Sequence, residues 1–144
     1  MNKIYVVVMA LFVVCSYGFC DAIYTGSGYY LRAEYGGGGK VDAKAKKRGE
    51  WEEWQLIPQE DGSYAIKSSG GFYLSAKNSG GGKVDARHRK IGLSQKWRRQ
   101  SVGGGYFTFK TSKGYYLQAK NNGGGKVDAR SKKMSEGAKW KILK

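Results

Sequence analysis

Gly28-Tyr29-Tyr30-Leu31-Arg32-Ala33, then the glycine run Gly36 to Gly39, then Lys40-Val41-Asp42-Ala43-Lys44, is a phrase the chain states three times. It returns as Gly71-Phe72-Tyr73-Leu74-Ser75-Ala76, Gly80 to Gly82 and Lys83-Val84-Asp85-Ala86-Arg87. It returns again as Gly114-Tyr115-Tyr116-Leu117-Gln118-Ala119, Gly123 to Gly125 and Lys126-Val127-Asp128-Ala129-Arg130. Leu31, Leu74 and Leu117 stand 43 residues apart, as do Val41, Val84 and Val127, and Trp54, Trp97 and Trp140. Three anchors in one register, without an insertion, define an internal repeat.

Each repeat carries the same punctuation. Leu31 and Ala33 alternate with Tyr30 and Arg32, which is strand periodicity. The glycines make a loop. The next strand directs Val41, Ala43 and Ala45 inward and Lys40, Asp42, Lys44 and Lys46 outward. Trp54-Gln55-Leu56 is a third strand, Asp61-Gly62 a turn signal, and Tyr64-Ala65-Ile66-Lys67 a fourth strand. Four short strands, three times over, and no convincing helix predict an all-β domain of about twelve strands. Ile23-Tyr24 lies 43 residues before Ile66-Lys67, whereas the third repeat stops after Trp140-Lys141-Ile142. The leading strand therefore completes the last repeat, which predicts a closed ring with pseudo-three-fold symmetry rather than an open array with two distinct caps.

Residues 1–20 stand apart from this pattern. Lys3 precedes the apolar run Ile4 to Val14, and Gly18 and Cys20 suit a cleavage site, which reads as a secretory signal peptide. The run is shorter than the roughly 18 residues a membrane span requires. The expected cut follows Cys20, with Gly18 as second choice. The domain expected is then 21–144, with repeats over about 28–70, 71–113 and 114–144, the last completed by 21–27. Both cysteines leave with the leader, and the remaining chain has no disulfide although it enters an oxidising compartment. A cut at Gly18 would leave Cys20 as a lone thiol at a frayed end.

At this point the chain resembles a β-trefoil of the fascin and hisactophilin-like branch. The matching pattern is Gly-x-Tyr-Leu-x-Ala, a glycine loop, Val-x-Ala, a Trp-x-Leu strand and Gly-x-Tyr-x-Ile. Gly28 to Ala33, Val41-Asp42-Ala43, Trp54-Gln55-Leu56 and Gly62-Ser63-Tyr64-Ala65-Ile66 follow it. The resemblance covers essentially everything after the leader and implies actin binding or crosslinking in the cytosol. The chain departs from hisactophilin in having His88 alone instead of histidine clusters. The ricin-type lectin branch fits less well, since its Gln-x-Trp signature occurs only at Gln95, with Glu52 and Ala138 in the other repeats.

The repeats diverge in charge. The whole chain carries 26 Lys and Arg against 11 acidic residues, for +15, and +14 once Lys3 has left. Residues 21–66 hold 6 basic and 8 acidic residues, residues 67–109 hold 9 and 1, and residues 110–144 hold 10 and 2. Such an excess favours acidic glycans, anionic surfaces or nucleic acid. The candidate polyanion site is a basic face on repeats two and three: Lys83, Arg87, Arg89, Lys90, Lys96 and Arg98, with Lys126, Arg130, Lys132 and Lys133. Arginine meets sulfate, carboxylate or phosphate oxygens at two points, and lysine supplies point charge. Outward side chains on one strand repeat every ~6.6 Å, a spacing that can track a polyanion. Lys40, Lys44, Lys46, Lys47 and Arg48 form the matching set in repeat one, offset by Glu50, Glu52 and Glu53. The bland reading makes these solvated side chains, with Asp42, Asp85 and Asp128 pairing locally. Arg99 takes the place of Leu56 and Ile142, and is expected to reach outward to the basic face.

No enzyme is expected. The run Gly36 to Lys40 lacks the spacing and the Ser or Thr of a phosphate loop. His88 has no partner for a metal site, and no nucleophile stands with a base and an orienter. The three aspartates would act together only if they met at the axis, and alternation sends them outward. No cofactor is expected. Trefoil lectins place sugars at equivalent positions in each repeat, which nominates Tyr73, Asn78 and Asp85, and Tyr116, Asn121 and Asp128, with Tyr35 replacing the asparagine in repeat one. The chain is thus expected to be a secreted, extracellular, monomeric binding protein for acidic polysaccharide or anionic microbial or cell surfaces, without a transmembrane segment after the leader. The alternatives are actin binding of fascin type, should the chain be cytosolic, and a neutral-sugar lectin.

Overall fold

A computed structural model of the chain describes residues 20–144. The expected leader and its cleavage point fall outside these residues, Cys20 excepted. Twelve strands follow one another: β1 (Ala22–Thr25), β2 (Tyr30–Ala33), β3 (Gly39–Ala45), β4 (Trp54–Pro58), β5 (Tyr64–Ser68) and β6 (Tyr73–Ala76), then β7 (Gly82–His88), β8 (Arg98–Gly103), β9 (Tyr106–Lys110), β10 (Tyr116–Ala119), β11 (Val127–Ser131) and β12 (Trp140–Leu143). Short single turns join them, and the described residues contain no α-helix.

Six strands close a barrel. β4 pairs with β5, β8 with β9, and β1 with β12. The three pairs are stitched together where Trp54 meets Asp21, Trp97 meets Tyr64 and Trp140 meets Phe107, positions that are themselves 43 residues apart. The other six strands form the hairpins β2–β3, β6–β7 and β10–β11, which cap one end. This is a β-trefoil. The ring is sealed by the leading strand, with Ala22 opposite Leu143, Ile23 opposite Ile142 and Thr25 opposite Trp140.

The repeated residues make the core. Leu31, Leu74 and Leu117 are fully buried with Ala43, Ala86 and Ala129, and Val41, Val84 and Val127 are 5–6% exposed. Trp54, Trp97 and Trp140 are also fully buried. Each indole N–H donates to the carbonyl of the leucine 23 residues earlier: Leu31 at 2.9 Å, Leu74 at 3.0 Å and Leu117 at 3.0 Å. A buried indole needs such a partner, and here it fastens a barrel strand to a cap hairpin of the same repeat.

The glycine runs do more than turn the chain. Gly37, Gly80 and Gly123 have φ of 126°, 122° and 127°, and each lies against the aromatic ring that opens the next repeat: Phe72, Tyr115 and Tyr29. A Cβ at Gly80 would stand 2.3 Å from Tyr115 Cδ2, and the other two sites are equally closed. A cation covers the same three rings, Lys46 on Tyr29, Arg89 on Phe72 and Lys132 on Tyr115, at 4.7, 4.0 and 5.0 Å from the centroids. Loop, ring and cation together join one repeat to the next.

Cys20 is buried, 1% exposed. Its carbonyl accepts from Arg48 Nη2 at 3.4 Å, while Arg48 Nη1 donates to the Lys144 carbonyl at 2.9 Å. Glu53 holds that guanidinium through two hydrogen bonds of 2.6 and 2.9 Å, which keep Arg48 protonated even more firmly than usual. One expectation is corrected: Arg99 does not reach the basic face. It is half-buried, lies over the rings of Tyr64 at 4.5 Å and Phe107 at 5.2 Å, and donates to the Tyr64 hydroxyl at 3.0 Å. The strand stays in register there, so two aromatic faces rather than a bulge accommodate the charge. Asp42 points outward, as alternation sends it, and pairs locally: Arg32 grips both its oxygens, Nε to Oδ1 at 3.0 Å and Nη2 to Oδ2 at 2.8 Å, and the residue is 8% exposed.

Candidate functional site

The three second strands of the repeats, β3, β7 and β11, meet around the three-fold axis. Gly39 and Lys40 pair with Ala86 and Asp85, Lys83 and Gly82 with Asp128 and Ala129, and Lys126 with Asp42. Their inward valines cover the core. Their outward side chains therefore surround one depression, a cavity of about 360 Å³ at the axis. Lys40, Lys83 and Lys126 line it with Lys44, Arg87 and Arg130, and with Asp42, Asp85 and Asp128. The aspartates do point outward, but they also meet at the axis, which alternation alone could not show.

Six cations and three carboxylates leave this basin net positive. One carboxylate is already claimed: the hydrogen bonds from Arg32 occupy Asp42, and the same contact raises the pKa of Arg32 above its ordinary value. The other repeats have Ser75 and Gln118 where Arg32 stands. Asp85 faces Arg87 Nη1 at 3.6 Å, and its Oδ1 is buried without a hydrogen-bond partner. Asp128 Oδ1 accepts only the Arg130 backbone N–H, at 3.3 Å. Lys40, Lys83 and Lys126 are exposed and appear in no ion pair among the described residues. A concave site of one sign concentrates counter-ions beyond what the same charges achieve on a flat surface.

Of the expected polyanion residues, Lys83, Arg87, Lys126 and Arg130 are brought together here. Repeat one adds Lys40 and Lys44, so the basin is not confined to repeats two and three. The rest lie elsewhere. Arg89 and Lys132 cover Phe72 and Tyr115, and Lys90 and Lys133 are exposed beside them. Lys96 faces Asp61 at 3.6 Å, and exposed Arg98 opens β8 opposite Lys110. The candidate sugar residues do not all line the basin. Asp85 and Asp128 line the basin, but Tyr73, Asn78, Tyr116 and Asn121 do not. Tyr73 is 9% exposed in the cap, and a lysine covers each tyrosine ring, Lys67 at 5.9 Å and Lys110 at 5.0 Å. Asn78 and Asn121 have φ of 54° and 55°, a left-handed turn conformation that asparagine tolerates.

Acidic residues of repeat one are largely engaged by their own chain. Glu53 holds Arg48, and Glu52, 7% exposed, accepts the Gly49 N–H at 2.8 Å. Burial pushes the Glu52 carboxyl above the usual carboxylate range, against the pull of that N–H and of Arg32. Among the described residues no group of three His, Cys, Asp or Glu is placed to hold a metal ion, and no helix is long and apolar enough to cross a membrane.

Comparison with known proteins places this geometry. The model of the Fascin domain matches residues 26–142. No curated protein matches the chain in sequence. Among solved structures, a designed 3-fold symmetric protein, ThreeFoil, is similar at a TM-score of 0.76 and 22% identity, covering 87% of this chain and 98% of that one. At that identity the likeness speaks for the fold alone.

Proposed function

The chain belongs to the Fascin domain family, and from that premise we propose that it is a secreted, non-enzymatic trefoil that binds acidic polysaccharides or anionic cell surfaces through its axial basin. One observation carries the reading: six cations from three repeats converge on a single depression, although they lie up to 90 positions apart along the chain, from Lys40 to Arg130. Sulfate or carboxylate groups entering there would meet lysine ammonium groups on three sides and arginine forks at Arg87 and Arg130. The excess charge of repeats two and three extends the attraction beyond the basin and steers a polyanion toward it.

Heparin affinity chromatography in a sodium chloride gradient tests this. Lys40, Lys83 and Lys126 are changed together to Gln, and in a control the exposed Lys77, Lys113 and Lys120, which do not line the basin, are changed to Gln. Both variants lose the same charge. The basin variant should bind about tenfold more weakly, a difference of about 1.4 kcal/mol, and elute clearly before the control. Equal elution of the two variants would show that charge alone, and not the basin, retains the protein.

Family membership favours a second reading, actin binding or crosslinking of fascin type. Cosedimentation with filamentous actin separates it from the first, and it gains ground if the chain is found in the cytosol with residues 1–20 retained.

A further inference from the structure

Repeat one differs from its two copies at a pair of turn positions. Tyr35 stands where Asn78 and Asn121 do, and Trp51 where Ser94 and Gly137 do. Tyr35 keeps the left-handed conformation of the asparagines, with φ of 59°. Asparagine accepts that region readily, whereas a bulky aromatic there is an outlier. The backbone therefore gives no reason for tyrosine. Burial gives none for Tyr35, which is 76% exposed, and Trp51, although partly covered, still presents 36% of its surface. The turns Glu34–Gly36 and Glu50–Glu52 bring the two rings edge to face, with centroids 5.1 Å apart and 61° between planes. In repeat two the matching turns are joined by Ser79 Oγ and Ser94 Oγ at 3.1 Å, and no exposed ring is involved. The edge-to-face pair contributes some stability of its own, but small polar residues serve the fold at the same positions in the other repeats, and adjacent exposed rings are a feature of binding surfaces.

We propose that Tyr35 and Trp51 form a platform for a neutral saccharide, stacking on the apolar face of a pyranose ring while Glu34 and Glu50 accept hydrogen bonds from its hydroxyls. Glu34 and Glu50 flank the rings in the chain and belong to no ion pair among the described residues. Ionised carboxylates are pure acceptors, matched to hydroxyl donors. Their charge repels sulfated and carboxylated ligands, so the platform takes a different class from the basin. Two rings are far too small for a stable protein interface, which needs roughly 800 Å² from each partner. An ammonium ligand is best held when rings enclose it, and these two touch each other instead of framing a gap.

The test uses an array of neutral glycans in 0.5 M sodium chloride, which screens the basin. The tryptophan emission of the protein is then titrated with the glycans bound, and separately with tetramethylammonium chloride. Trp54, Trp97 and Trp140 are fully buried, so Trp51 is the accessible reporter. Tyr35→Asn and Trp51→Ser install residues the chain already uses at the equivalent positions, so both variants should fold. Expected are saturable binding of at least one neutral glycan, at least tenfold weaker calorimetric affinity in each variant, and unchanged heparin retention in both. An array without signal, equal affinity in the variants, or a response to tetramethylammonium alone would overturn the proposal. Because heparin retention is read in the same variants, failure of the platform leaves the basin reading intact.

Discussion

Gly80 and Gly82 are two residues apart, the first in the loop and the second opening β7, and they answer to different forces. Gly80 combines φ of 122° with the Tyr115 ring in its Cβ space, whereas Gly82 has nothing within 4 Å of that space. Gly80→Ala should therefore destabilise the fold by about 2–3 kcal/mol, from backbone strain and the displaced ring. Gly82→Ala should stay within about 0.5 kcal/mol. Urea midpoints of the two variants check this, and equal losses would mean the loop is needed only for its turn. The glycine runs were legible as loops from the sequence. Their packing was not, because the ring against Gly80 lies 35 residues further on, in the next repeat. Arg99 taught a similar lesson, since an apolar position can hold a guanidinium when two aromatic faces flank it, and one of them, Tyr64, lies 35 residues earlier.

Hairpins were the most readable elements. Asp61-Gly62 announced the β4–β5 turn, and the strands on either side begin and end within two residues of the expected positions. That turn also carries a titration signature. The hydroxyl and backbone N–H of Ser63 both donate to Asp61 Oδ1, and Lys96 stands nearby, which holds the carboxyl at about 2. A depressed acid stabilises the fold above its ordinary value near ~4 and ceases to do so as pH falls through about 2. The stability difference between the parent and Asp61→Asn should be constant from neutral pH to about 4.5 and then shrink toward zero near pH 2. Urea unfolding at several pH values measures it, and a flat difference would refute the assignment. What the hairpins conceal in sequence is their meeting point. Alternation correctly sends Lys40, Asp42 and their copies outward, but only closure of the ring turns three outward faces into one basin.

The whole molecule depends on its first strand finding its last. The 43-residue offset of Ile23 disclosed that pairing, while the clamp over it is peculiar to repeat one: Arg48 has Ile91 and Met134 as its counterparts. Arg48→Met should cost about 1–2 kcal/mol through the loss of its charge-assisted hydrogen bonds to three partners, Glu53 and the carbonyls of Cys20 and Lys144. It should also speed amide exchange in β1 and β12 ahead of the other strands, and uniform acceleration across all repeats would argue against a clamp. Charge asymmetry among the repeats was equally plain in composition, yet composition could not locate a site, because location is set by the axis. Ala22 and Leu143 occupy the place that the β4–β5 and β8–β9 turns hold in the other repeats, at the rim of the barrel away from its hairpin cap. A tether attached at either terminus would therefore hold the molecule from behind. Coated on a bead or spliced between two other modules, it would offer its cationic hollow to the surroundings without the linker in the way.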